Sequence, residues 1–169
     1  MKHFLVALLM ILAPHSTMLG LSTIIGLPIG ASAPSFTLKS PEGKLVRLAD
    51  FKGKVILLDF WGVNCPPCRV EMPHLQRLQA KYQHQGLIVL GIAGMESTIK
   101  GVAQVTKTLG ITYQIAMDPG DKLGKLYQIT AHPTTILIGR EGKILHIEEG
   151  YAKGDEQIIE STIQKAVSK

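Results

Sequence analysis

At 169 residues and 46% hydrophobic content, the chain can bury one sizeable core but is too short for two independent ones. Its net charge of +5 comes from lysines spread along the sequence, with no block that could track a phosphate backbone, so nucleic-acid binding is excluded as the leading reading. Two cysteines at C-x-x-C spacing are too few and too close to staple a disulfide-framework mini-protein.

Residues Phe4–Ala13 form an apolar run after Lys2, and no further charge appears until Lys39. That layout is an export signal or an N-terminal membrane anchor. Cleavage at Gly20-Leu21-Ser22 would start the mature chain near Thr23. Without it, Phe4–Ile29 is long enough to cross a bilayer, although Pro14, His15, Ser16 and Thr17 interrupt it. Residues 1–26 are therefore assigned to targeting or anchoring and 27–169 to the folded domain, expected outside the cytoplasm. No cysteine precedes position 65, so a lipid-modified N-terminal cysteine is excluded.

Ser35–Leu38 and Leu45–Leu48 flank the turn Pro41-Glu42-Gly43-Lys44 and predict a hairpin. Val55–Trp61 is almost continuously apolar, as for a central strand covered on both faces. Val70, Leu75, Leu78 and Tyr82 recur at helical spacing between Pro66 and Gln83, and Leu87–Ala93 reads as a second buried strand. Ile99, Val102, Thr106 and Leu109 mark another helix. A strand at Tyr113–Met117 and a helical turn at Leu123–Tyr127 follow. Thr134–Ile138 and Ile144–Glu148 predict an antiparallel hairpin, and Ile158, Ile159, Thr162, Ile163, Ala166 and Val167 line one side of a last helix. The order implies an α/β sandwich with a mixed sheet.

The chemistry concentrates in Trp61-Gly62-Val63-Asn64-Cys65-Pro66-Pro67-Cys68-Arg69, where the chain leaves a strand and enters a helix. Pro66 suits the first helical position, which sets Cys65 at the helix N-terminus. Unpaired N–H groups and the helix dipole there favour a thiolate, making Cys65 the attacking nucleophile. Cys68, one turn deeper, is placed to resolve a mixed disulfide.

The segment LLDFWGVNCPPCRVEMP resembles the active-site stretch of thioredoxins, and more closely that of exported TlpA/ResA-like thiol–disulfide oxidoreductases. The resemblance extends through APSFTL at Ala33–Leu38, DFKGKVILLDFW at Asp50–Trp61 and HPTTILIGREGKI at His132–Ile144. It implies a thioredoxin-like mixed central sheet flanked by helices, with an N-terminal hairpin and a central helix–strand insertion near Glu96–Met117. It also implies a cis Pro133 beside the dithiol, where the residue alone would equally suit a trans proline opening a strand. Asn64 departs from the pattern, which usually has an aromatic residue before the first cysteine.

Other candidates follow. Asp59 interrupts an apolar strand, where burial raises a carboxyl pKa. It matches the thioredoxin aspartate that exchanges a proton with the second cysteine, or else it turns to water. Glu71 matches the active-site glutamate of ResA-like proteins, or else it is a solvated helix residue. His132 either faces the sulfurs, where its charge would favour the thiolate, or points to solvent. Trp61 is assigned to packing beneath the site.

The leading function is exchange of protein disulfides as a reductant, with electrons from a membrane-embedded donor and no cofactor or resident metal. The resemblance suggests substrates such as the haem-site cysteines of apocytochromes or a copper-site protein. The rivals are a disulfide donor and a copper(I)-binding module using Cys65, Cys68 and His132 or His74. A peroxiredoxin also starts with an APxFTL-like segment, but Gly62 stands where that chemistry needs Thr or Ser.

Overall fold

The structure, a computed structural model, describes residues 27–94 and 96–168. The targeting assignment for residues 1–26 lies outside them. No helix among the described residues is long and apolar enough to cross a membrane.

The chain begins with a hairpin of β1 (Thr37–Lys39) and β2 (Leu45–Arg47), its turn closed by the Gly43 N–H donating to the Ser40 carbonyl. Gly43 has φ +81°, a conformation that glycine adopts freely. Then come β3 (Val55–Trp61), α1 (Pro66–Tyr82), β4 (Leu87–Ala93), α2 (Ile99–Leu109) and β5 (Gln114–Met117). A one-turn helix α3 (Lys122–Leu126), the hairpin β6 (Thr134–Ile138) and β7 (Ile144–Glu149), and helix α4 (Asp155–Val167) complete the fold. The predicted elements are all present, with ends shifted by one or two residues.

The seven strands form one mixed sheet in the order β2-β1-β5-β4-β3-β6-β7. β3 runs parallel to β4 and antiparallel to β6, so it is interior, although β4 holds the middle place of the seven. Every residue of β3 is buried, as its unbroken apolar run requires.

Alternation along β3 divides the core. Val55, Leu57 and Trp61 pack under α1, α2 and α4 with Met72, Leu75, Val102 and Ile163. Ile56, Leu58 and Phe60 face the other way, toward Tyr127 after α3, Ile136, Ile144 and the entering chain at Leu27, Ala33 and Phe36. Three predicted core positions fail. Val70 is 66% exposed, Ile99 57% and Ile158 47%. In α1 the buried positions beside Leu75, Leu78 and Tyr82 are taken by Cys68, Glu71, Met72 and His74, while α4 turns Ile159 and Ile163 inward and leaves Ile158 outside.

Candidate functional site

The dithiol segment lies where β3 ends and α1 begins. Cys65 is the N-cap of α1, Pro66 is its first residue, and the Cys65 sulfur accepts from the Cys68 N–H at 3.3 Å. The approach to the helix is held from several sides. The Val63 N–H donates to Ser97 Oγ at 3.3 Å, Arg69 donates to the Val63 carbonyl, and the Cys65 N–H donates to the Gly62 carbonyl at 3.1 Å. Cys65 and Cys68 are joined as a disulfide with Cα atoms 5.4 Å apart. The two sulfurs differ in access: Cys65 is half-buried and Cys68 is 0% exposed. An incoming partner meets the first and not the second.

Below Cys68 lies a group of buried polar atoms. Asp59 sits on the α1 side of β3 and is fully buried. Its Oδ2 accepts from the Tyr113 hydroxyl at 3.1 Å, whereas Oδ1 has no partner among the described residues. Glu71, three residues after Cys68 on α1, is 1% exposed, and neither of its carboxyl oxygens has a described partner. Burial raises both carboxyls above the ordinary range. The Tyr113 bond pulls Asp59 back down somewhat, and the Asp59 charge pushes Glu71 higher. The two therefore titrate as a pair, shared between strand and helix beneath Cys68. Both lie buried and turned away from water.

Tyr113 was missed in the sequence, because its bond spans 54 residues and no local pattern announces it. Gly91 was missed as well. It lies opposite Asp59 in the β3–β4 ladder, and a Cβ there would meet Ile115 Cδ1 at 2.6 Å, Trp61 Nε1 at 3.1 Å and Tyr113 Cε2 at 3.2 Å. The bare backbone gives the indole and phenol their room above the aspartate. Trp61 itself is 0% exposed and packs with Cys68 in the core, its Nε1 without a described partner.

The His132–Pro133 peptide is cis. Because Phe60 pairs with Thr134, Pro133 falls at the register position beside Trp61, on the same end of the sheet as the dithiol. Its carbonyl accepts from the Gly150 N–H at 2.7 Å. His132 is half-buried, and burial pushes its imidazole down, partly opposed by the charge of Asp121. The neutral ring is favoured there over the charged one. His74 is buried on α1 with Nδ1 3.3 Å from the Arg77 guanidinium, and burial again pushes it down. Among the described residues, no cluster of three or more His, Cys, Asp or Glu could hold a metal ion, so His74 and His132 do not join the dithiol in such a set.

A family model, the AhpC/TSA family, matches residues 29–147. The chain belongs to the AhpC/TSA family. Within that family it is similar to thiol–disulfide oxidoreductases named ResA. The protein from Bacillus thuringiensis subsp. konkukian is 36% identical over 122 residues, covering 72% of this chain and 70% of the relative. That from Bacillus subtilis is 33% identical over 121 residues, covering 72% and 67%. The fold agrees with a solved structure of a candidate thiol:disulfide interchange protein, DsbE, from Chlorobium tepidum. Its TM-score is 0.79 at 32% identity, over 83% of this chain and 99% of the other. This AhpC/TSA member has a thioredoxin-like fold and is a thiol–disulfide oxidoreductase.

Proposed function

We propose that the enzyme reduces protein disulfides outside the cytoplasm, with Cys65 as nucleophile, Cys68 as resolving thiol and the Asp59–Glu71 pair as its proton acceptor. The observation that carries this reading is the asymmetry of the site. One sulfur is reachable at a helix N-terminus, and the other is sealed over two buried carboxyls, of which Asp59 is raised toward neutrality, where a general base is best poised, and Glu71 higher still.

In the reduced enzyme the Cys65 thiolate attacks one sulfur of the substrate disulfide, forms a mixed disulfide, and expels the other substrate sulfur as a thiolate that takes up a proton. Cys68 passes its proton to the carboxyl pair and attacks Cys65 Sγ. The second substrate thiol leaves and the Cys65–Cys68 disulfide closes. Two electrons have moved to the substrate. Pro133 stands beside the dithiol where the substrate backbone lies, Trp61 packs beneath it, and burial of His132 works against a charge that would favour the thiolate.

Residues 1–26 act as the export signal or anchor, and residues 27–169 as the working domain. In an oxidising compartment the dithiol needs a reductant of its own, which we assign to a membrane-embedded donor. Resemblance to the ResA group supports haem-site cysteine pairs of apocytochromes as substrates.

The test has two parts. Cys68→Ser, mixed with a disulfide-bonded substrate, accumulates a mixed disulfide through Cys65 that nonreducing electrophoresis resolves, whereas Cys65→Ser accumulates none. Equilibration with thiol buffers then gives the potential. A value near about −270 mV supports a reductant, and one near about −120 mV makes the enzyme a disulfide donor.

A further inference from the structure

The end of the molecule opposite the dithiol has its own chemical character. β3 starts there at Val55, β6 ends there at Ile138, and the turn Gly139–Lys143 joins β6 to β7. Lys52 and Lys54 approach it from before β3, Arg140 and Lys143 from the turn, and Lys165 from the end of α4. Arg140 is committed to structure, donating to the carbonyls of Gly53, Gln85 and Val167. The four lysines are exposed, and none forms an ion pair with a described residue. Glu141 and Asp50 are the acidic residues of this end, and Asp50 accepts from the Arg47 N–H.

Apolar surface accompanies the charge. Leu145, Thr162 and Ala166 line a groove of about 500 Å³ whose rim carries three cations, Arg140, Lys143 and Lys165, against one carboxylate, Glu141, and Ile29 stands 60% exposed. The chain also enters the fold at this end. Gly30 N–H donates to the Ile144 carbonyl, Ala33 N–H to the Gly142 carbonyl, and Lys143 Nζ to Ser32 Oγ. The 26 residues that carry the apolar run therefore precede a domain whose first contacts are with the basic turn. The charge pattern polarises along two elements: β7 runs from Lys143 before its start to Glu148 and Glu149, and α4 from Lys165 back to Asp155 and Glu156.

From this juxtaposition we propose that the Lys52, Lys54, Lys143 and Lys165 face docks on anionic phospholipid headgroups, with Leu145 and Ile29 at the interface, so that the dithiol points away from the bilayer. The inference rests on residues 1–26 bringing the domain to a membrane. Basic residues next to an anchoring segment are drawn to anionic lipid. An anchor alone fixes the distance of the domain from the bilayer, whereas this face fixes its orientation.

The test uses the full chain on vesicles of phosphatidylglycerol and on vesicles of phosphatidylcholine, read by acetylation of lysines and mass spectrometry. On phosphatidylglycerol, Lys52, Lys54, Lys143 and Lys165 lose reactivity by about threefold or more, and salt near 1 M, where screening acts within about 3 Å, restores it. Lys100 and Lys153, at the dithiol end, react alike on both. In K52E/K165E, Lys54 and Lys143 regain reactivity on phosphatidylglycerol. If the chain floats with both vesicles and its lysines react equally on each, the membrane reading survives and this face is overturned. Flotation with neither vesicle overturns both.

Discussion

The two faces of the central sheet meet at a single strand and are built to opposite rules. On one side of β3, Ile56, Leu58 and Phe60 enter a mainly apolar layer, with Phe60 and Tyr127 rings 5.6 Å apart and the buried hydroxyls of Thr134 and Tyr127 both bonded to backbone carbonyls. On the other, between Leu57 and Trp61, Asp59 is sealed with Glu71 under Cys68, and three of the four carboxyl oxygens lack a described partner. Unpaired buried polar atoms destabilise a fold. Both faces bury apolar side chains, but only the α1 side also encloses a polar pocket held against stability, which the proposed role of Asp59 and Glu71 as proton acceptor for Cys68 accounts for.

The largest expected effect falls on the apolar face. Phe60→Ala lowers unfolding stability by about 3–5 kcal/mol in denaturant titration, while the fraction that stays folded still forms the mixed disulfide. A loss of thiol chemistry in that folded fraction would show that the faces are not separable. Tyr113→Phe acts on the polar face and costs about 1–3 kcal/mol by leaving Asp59 without its donor. Because the Tyr113 bond lowers the Asp59 carboxyl, the variant also shifts the pH profile of mixed-disulfide resolution upward. An unmoved profile would take Asp59 out of that step.

Glu71→Gln should work in the other direction. Raised carboxyls hold protons in the folded state at pH values where the unfolded chain has released them. Stability therefore falls as pH rises from the ordinary carboxylate range through the raised folded values. A tenfold rise in the proton affinity of one carboxyl is worth about 1.4 kcal/mol. The oxidised variant should gain at least about that at pH 8 and match the parent near pH 4, as urea titrations at the two pH values would reveal. Parallel profiles would mean that water reaches Glu71 in solution.

The sequence exposed this division unevenly. β3 was legible because a fully buried strand must be apolar throughout, so Asp59 stood out as an exception that required a reason. The dithiol was legible from spacing and from Pro66. The cis geometry at Pro133 came from resemblance, since the residue alone suits either isomer. Tyr113 and Gly91 were illegible because their importance lies across the sheet: one donates to a strand two places away, and the other matters for the side chain it lacks. Asp118 belongs with them, its carboxylate accepting from the N–H groups of Lys122, Leu123 and Gly124 to anchor α3. The misreading of Val70 has the converse cause, since a count of apolar residues cannot see that Cys68, Glu71 and His74 occupy the inner face of α1.

That misreading yields the smallest effect. Val70 borders a shallow hollow with Pro67, Tyr151 and Glu156, two residues beyond Cys68 yet on the outer side of the helix. Its methyl groups are mostly in water, so Val70→Ser removes little buried area, and exposed changes of this kind stay within about 0.5 kcal/mol. Equilibrium unfolding should therefore leave the variant level with the parent, and the Asp59–Glu71 pair, facing inward from the same turn, should keep its pH response. A loss above about 1 kcal/mol would mean that something covers this side of α1 in solution. The inner face would then no longer be the only buried side of the active-site helix, and the contrast between a sealed polar pocket and an open outer surface would have to be redrawn.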